Sequence, residues 1–261
     1  MPSIYDKEFY DRIGGPSLRS ARIIAPFVVD IVKPRNIIDF GCGAGSWLKA
    51  FAECDGVKEI QGLEFGDIEH STLFIDQEKI KKFDLTRRYN SPQRYDLAIS
   101  LEVAEHVAEE FAPTIVNSLV SASDIVLFSA AIPNQAGRNH VNLQFPSYWA
   151  KLFAKHNYLV LDLIRPNFWN NTDIEVWYRQ NMLLFVSEKA LRSGAISSCD
   201  KSSQPPPLLD MVHPEMGNKF VTDLKDRISQ LHETYKQRLK ETRKETWEKA
   251  TRQLTGKTPC D

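Results

Sequence analysis

Residues 37–45 read Ile37-Ile38-Asp39-Phe40-Gly41-Cys42-Gly43-Ala44-Gly45, and the fold turns on how this stretch is read. A short apolar run ends in a glycine-rich turn, and a helical pattern opens at once over Gly45–Cys54. A brief apolar run bounded by glycine suits a buried strand. Glycines permit positive φ and let a ligand approach the backbone with no Cβ in the way. The helix that follows adds unpaired N–H groups at its first turn. The spacing is D-x-G-x-G-x-G, so the third glycine arrives one residue early for the G-x-G-x-x-G dinucleotide fingerprint.

Outward from this loop, apolar runs alternate with helical patterns, the βα signature of a mostly parallel sheet with helices on both faces. Helices are expected over 18–32, 45–54, 103–120 and 146–156. Strands are expected over 36–40, 59–65, 79–83, 95–101, 124–130, 158–164 and 182–187. The fold class is therefore α/β, a Rossmann-like seven-stranded sheet over residues 1–190. Residues 191–218 form a Ser/Pro-rich linker with little to bury, including the run RSGAISSCDKSSQPPP. Residues 219–261 are a helical tail, helical over about 219–254. There Val221, Leu224, Ile228, Leu231 and Tyr235 alternate spacings of three and four, as in a short coiled-coil seam. Self-association and an amphipathic helix lying on its own domain both fit that pattern.

Bulk properties narrow the classes. The 261 residues are 42% hydrophobic and 26% charged with a formal net charge of -1. No global field advertises nucleic acid or an anionic membrane. The start, MPSIYDKEFYDR, lacks a basic region followed by an apolar one, so no signal peptide is expected. The apolar stretch Ile23–Val32 contains Pro26 and Asp30 and is too short to span a bilayer. Cys42, Cys54, Cys199 and Cys260 are scattered, which argues against a zinc knuckle and fits a reducing, cytoplasmic setting.

The loop at residues 39–45 resembles motif I of class I S-adenosylmethionine-dependent methyltransferases. The resemblance implies S-adenosylmethionine as cofactor. Asp39, Gly41, Gly43 and Gly45 would shape its site, with Trp47 just inside the following helix. Glu64, with Phe65 beside it, stands where the family holds the ribose hydroxyls, although Asp is more usual there. Asp84-Leu85 matches the adenine position, and Leu101 ends the fourth strand beside the cofactor. Cys42 is a small buried occupant of its slot rather than a nucleophile.

A second constellation follows strand four, in Leu101-Glu102-Val103-Ala104-Glu105-His106-Val107. Ligands of open α/β sheets bind beyond the carboxyl ends of the strands. If a helix starts there, residues 102, 105 and 106 share one face. The polar loop Pro133-Asn134-Gln135-Ala136-Gly137-Arg138-Asn139-His140 brings a second imidazole toward the same edge. Two carboxylates and imidazoles converging on a cleft make a metal-ligand set or an acid–base set. This E-x-x-E-H with a later His resembles methyltransferases that act on the 2′-hydroxyl at the 3′ end of small RNAs, and others that act on catechol-like hydroxyls in ubiquinone synthesis. By resemblance to the RNA group, Glu102, Glu105, His106 and His140 would hold a divalent ion such as Mg²⁺ or Mn²⁺, with Glu105, His106 and His140 catalytic. Without an ion, His106 would act as a general base oriented by Glu105.

On the acceptor side the chain is rich in aromatics with amides beside them: Gln144, Phe145, Tyr148, Trp149, then Phe168-Trp169-Asn170-Asn171 and Trp177-Tyr178-Arg179-Gln180-Asn181. Such faces suit a sugar ring or a base, with Trp149 or Trp177 as stacking platforms, and equally suit sealing the sheet edge. The N-terminal residues Tyr5, Phe9-Tyr10, Gly14-Gly15 and Ser17–Ala21, and later Val212-His213-Pro214-Glu215, resemble a bacterial group associated with polysaccharide biosynthesis. The expected function is methyl transfer from S-adenosylmethionine to a hydroxyl of a small-molecule or glycan acceptor. An RNA ribose methyltransferase, a ubiquinone-type O-methyltransferase and a non-catalytic scaffold with a recruiting tail are the alternatives.

Overall fold

The computed structural model describes residues 7–196 and 208–255. The chain separates into two compact units, Met1–Met216 and Gly217–Asp261.

The first unit is a seven-stranded sheet. Its strands are β1 (Asn36–Phe40), β2 (Glu59–Glu64), β3 (Ile80–Lys82), β4 (Leu97–Leu101), β5 (Ile125–Ser129), β6 (Tyr158–Leu161) and β7 (Leu183–Ser187). Their order is β3-β2-β1-β4-β5-β7-β6. β1 pairs in parallel with both β2 and β4, Ile38 lying opposite Gln61 on one side and Ala98 on the other. Only β7 runs against its neighbours, antiparallel to β5 and β6. Every residue of β4, β5 and β7 is buried, which is why these strands read as unbroken apolar runs instead of alternating ones.

Helices cover both faces. α1 (Lys7–Val32) and α2 (Ser46–Ala52) pack on the face presented by Ile37, Leu97, Ile99, Leu127 and Leu184. α3 (Ala112–Ala122) and α4 (Pro146–Ala154) pack on the face of Ile38, Phe40, Ala98, Val126 and Phe185. There Phe153 stacks on Phe185 with ring centroids 4.0 Å apart. Truncating such a fully buried ring to Ala costs about 3–5 kcal/mol. The short helices α5 (Arg165–Phe168), α6 (Val176–Asn181) and α7 (Glu188–Arg192) flank β7.

β4 and β6 are shorter than read, and three helix boundaries differ more. α1 starts by Lys7, not residue 18, and runs through Pro16. Its apolar stripe, Ala21, Ile24, Ala25, Val28 and Ile31, is fully or nearly fully buried, and tertiary packing outweighs the local cost of proline. The helix expected over 103–120 is instead two 3₁₀ turns, Ala104–His106 and Glu109–Phe111, followed by α3. Pro113 sits in the first turn of α3, where its missing N–H costs nothing, and sets the start of the helix there. The tail helix α8 (Pro214–Thr255) starts five residues earlier than residue 219. Most of the Ser/Pro stretch, residues 197–207, and the N-terminal Tyr5 lie outside the described residues.

Within the second unit, Val221, Leu224, Ile228, Leu231 and Tyr235 are 52–69% exposed. Self-association through this seam remains a proposal, motivated by large apolar side chains held in water along one helix face. A chain ending at Met216 is then expected to show a lower mass by light scattering while keeping the far-ultraviolet dichroism of its sheet. An unchanged mass would contradict the proposal.

Candidate active site

The loop after β1 is shaped by three left-handed glycines, Gly41, Gly43 and Gly45, with φ of 81°, 51° and 83°. The Gly41 and Cys42 N–H groups donate to the Leu63 carbonyl at 2.8 and 3.0 Å, which ties the loop to the end of β2. A Cβ at Gly41 would strike the Val103 side chain, and one at Gly45 would lie 2.6 Å from Ile75 Cγ1. Glu64, last in β2, folds its carboxylate over this loop. Its Oε2 accepts from Gly43 N–H at 2.9 Å, and its Oε1 accepts from Phe65 and Gly66 N–H at 2.9 Å each. Phe65 itself is 63% exposed beside the loop.

Asp39 is buried under the loop, and burial, followed by the nearby Glu64 charge, holds its carboxyl well above the usual range. Cys42 is likewise buried, and its thiol is pushed up by burial first and then by Asp39 and Glu64, which fits an inert side chain. Asp84 closes its own turn, accepting from Thr86 N–H at 2.9 Å and Thr86 Oγ1–H at 2.7 Å, and Leu85 packs into the core. Trp47 lies in the core with its ring edge-on to Tyr178 at 5.0 Å, and Leu101 is buried at the end of β4. The glycines, Glu64, Phe65 and Asp84 thus gather at the carboxyl edge, with Trp47 beneath them.

β4 is followed at once by Glu102, whose backbone is left-handed at φ 56°. Non-glycine residues held there cost about 1–3 kcal/mol and cluster at functional sites. Glu102 N–H donates to both the carbonyl and the hydroxyl of Ser129 at the end of β5, at 3.0 and 3.1 Å. The turn then buries Glu105 completely, and neither of its carboxylate oxygens has a hydrogen-bond partner. Its backbone carbonyl accepts from Val141 and Asn142 N–H, which draws the 130–142 loop over it.

That loop delivers His140. One carboxylate oxygen of Glu105, one ring nitrogen of His106 and one of His140 lie within 4.8 Å of one another. His140 Nε2 is 4.0 Å from Glu105 Oε1, and the two imidazoles meet edge-to-face at 4.9 Å. His140 Nδ1 donates to the Gln135 carbonyl at 3.0 Å, and His106 Nδ1 faces the Asn139 carbonyl at 3.3 Å. A carbonyl only accepts, so the neutral His140 ring carries its hydrogen on Nδ1 and its lone pair on Nε2. Gly137 is required here, because a Cβ would run into the His140 ring.

The electrostatics of the turn are unusual. Burial, then the Glu102 charge, pushes Glu105 well above the usual carboxylate range. Burial pushes Glu102 up to about 7. Burial, then His140, pulls His106 down to about 4, and burial lowers His140 as well. Both imidazoles are therefore neutral at pH 7, the form that ligates a cation or accepts a proton.

Three of the four expected ligands come together, though not on a helical face as the spacing implied. Glu102 is held apart by two amides, accepting from Gln135 Nε2–H at 2.7 Å and Asn181 Nδ2–H at 3.1 Å. Sequence reasoning missed both partners. Asn181 ends α6, 79 residues away in the chain, and only the antiparallel run of β7 returns it to this edge.

The expected aromatic acceptor wall is mostly structural. Trp149 is 1% exposed and packs on Phe128, so it offers no stacking face. Trp169 packs against His213, and Phe168 against Phe27. Arg179 donates to the Ile174 and Trp169 carbonyls and to Glu215, which makes the His213-Pro214-Glu215 stretch a clasp for α6. Phe65, Val141 and Phe145 remain exposed.

A family model described as a methyltransferase domain matches residues 18–181. A comparison with curated proteins returns no match. Among solved structures, the methyltransferase domain of bacterial CtHen1-C is 20% identical, covers 65% of this chain and 97% of its own, and has a TM-score of 0.47. CalS10, an amino pentose methyltransferase from Micromonospora echinaspora solved with SAM, is 11% identical, covers 64% and 89%, and has a TM-score of 0.49. Magnesium protoporphyrin IX methyltransferase from Synechocystis PCC 6803, solved with SAH, is 15% identical, covers 68% and 85%, and has a TM-score of 0.48.

Two glycines separate backbone strain from collision. Gly41 and Gly56 both have positive φ, but a Cβ at Gly56 meets nothing within 4 Å. Gly56→Ala is expected to cost only the left-handed penalty, about 1–2 kcal/mol. Gly41→Ala adds the Val103 collision and should lose about 2–4 kcal/mol. Urea denaturation of the two variants measures the difference, and equal losses would contradict the close approach at Gly41.

Proposed function

The chain belongs to the methyltransferase-domain family, and from that premise we propose that it transfers a methyl group from S-adenosylmethionine to a hydroxyl of a sugar or glycan, as in polysaccharide biosynthesis, with a divalent cation at the acceptor. The observation that carries the cation and hydroxyl reading is Glu105: a completely buried carboxylate with both oxygens unbonded, facing two neutral imidazoles. Burial and the Glu102 charge hold this carboxyl well above its usual range, so it stays protonated until a cation beside it compensates the charge. Glu105, His106 and His140 would hold the ion, with Glu102 as the fourth ligand. When bound, such an ion lowers the pKa of an alcohol and orients it.

The chain's own groups account for the rest. The left-handed turn at Gly41, Gly43 and Gly45 would present its backbone to the cofactor at the end of β1. Glu64 is placed to exchange a backbone hydrogen bond for the ribose hydroxyls. The exposed ring of Phe65 and the turn at Asp84 suit the adenine. In the reaction the hydroxyl oxygen bonds the methyl carbon and the carbon–sulfur bond breaks. The thioether leaves neutral, and the hydroxyl proton passes to solvent. Among the described residues no helix is long and apolar enough to cross a membrane.

Two neighbouring oxygens on one ring would fill the positions left open on an ion with three or four protein ligands. A sugar with a free vicinal diol supplies them, and so does the ribose end of an RNA. The net charge of -1 favours the sugar, because RNA binding through phosphate contacts would fall steeply with salt. Turnover on matched diol and deoxy acceptors, with EDTA and across a salt series, tests the reading. The expected result is loss of activity with EDTA, restoration by Mg²⁺ or Mn²⁺, loss on the deoxy acceptor and little response to moderate salt. Full activity in excess EDTA would leave His106 as a general base without an ion, and a steep fall with salt would favour RNA.

A further inference from the structure

Glu102 sits in a place where a carboxylate needs holding. Its backbone is in the left-handed region, it lies close enough to the buried Glu105 for the two charges to repel, and it stands outside the three-residue cluster. What faces it is not a cation but a pair of amides. Gln135 Nε2 donates to Oε2 at 2.7 Å, and Asn181 Nδ2 donates to Oε1 at 3.1 Å. The amides are also joined to each other, Asn181 Nδ2 donating to Gln135 Oε1 at 3.0 Å. Asn181 thus aims one NH₂ group at two acceptors, Glu102 Oε1 and Gln135 Oε1, which fixes which end of its carboxamide points at the carboxylate. Gln135 and Asn181 are 7% and 2% exposed, so water competes little with these bonds.

The chemistry of the donors matters more than their number. An arginine or lysine in this place would neutralise Glu102 and repel a metal ion. Two neutral amides, with the nearby Ser129 hydroxyl, orient the carboxylate without adding a positive charge that would repel a cation. The same Gln135 offers its backbone carbonyl to His140 Nδ1 at 3.0 Å, so one residue touches two of the four expected ligands. Partners of this kind, one step behind a ligand, are worth about 10–100-fold in metal affinity.

We propose that Gln135 and Asn181 are positioning residues that hold Glu102 as the fourth ligand of a divalent cation bound by Glu105, His106 and His140. The inference rests on the cation reading given above. It assigns a task to the α6–β7 junction, which contributes no ligand itself: Asn181 couples the far end of the sheet domain to the ion.

The test is a double-mutant cycle read by Mn²⁺ titration of the full-length chain, with free Mn²⁺ followed by electron paramagnetic resonance. Gln135→Met keeps the length of the side chain and removes its hydrogen bonds to Glu102, Asn181 and the Ile132 N–H, and Asn181→Leu removes the second amide from a different element. Thermal melts of each variant keep the comparison to folded protein. Each single substitution is expected to weaken Mn²⁺ binding about 10–100-fold. In a Glu102→Ala background, Gln135→Met should change the affinity by less than about twofold, because the group it positions is gone. A merely structural role would instead weaken binding equally in both backgrounds, and that additivity overturns the inference. So does wild-type affinity in both single variants. If the wild-type chain binds no Mn²⁺, the cation reading falls and takes this inference with it, a result distinct from either of the others.

Discussion

β1 pairs in parallel with β2 on one side and β4 on the other, and the site depends on that arrangement. Parallel pairing points the carboxyl ends of β1 to β5 the same way, and the chain reverses its direction of winding between β1 and β4. Open sheets of this kind bind their ligands beyond the strand ends at the point where the connections part. The glycine loop, Glu64, Asp84, Glu102 and the 130–142 loop each leave a different strand, yet all leave at one edge. β7 adds the last piece by running the other way, which brings its preceding residue, Asn181, to the same edge. None of these side chains is near another in sequence except Glu102, Glu105 and His106.

The glycine loop was legible because it is local. An apolar strand, a glycine turn and a helix start are encoded within ten residues, and each glycine's positive φ confirms the reason glycine stands there. Strand positions were legible for the same reason, since fully buried strands leave continuous apolar runs. The acceptor half was less so. The spacing of Glu102, Glu105 and His106 suggested a helical face, but Pro113 delays the helix and the residues reach the cluster through a 3₁₀ turn. Aromatic composition gave no way to tell Trp149, fully buried against Phe128, from exposed Phe145. The amide clamp on Glu102 left no sequence signal, because its partners come from two segments that meet only through the strand order.

Charge distinguishes the two halves. Glu64 is satisfied by three backbone N–H groups, so it can stabilise the loop and still exchange partners with a ligand's hydroxyls. Glu105 is instead completely buried near two neutral imidazoles and a second carboxylate, and burial and the Glu102 charge push its carboxyl well above the usual range. The proposed cofactor and cation would lie over the ends of β1 and β4 respectively.

Cofactor binding at the glycine loop is the claim on which the others stand. Calorimetric titration of the full chain with S-adenosylhomocysteine tests it directly, compared with Gly43→Val, which places a branched side chain at φ 51° in the centre of the loop. The account predicts saturable heat for the wild type and none for Gly43→Val. No heat from the wild type, or unaltered binding by Gly43→Val, would contradict it.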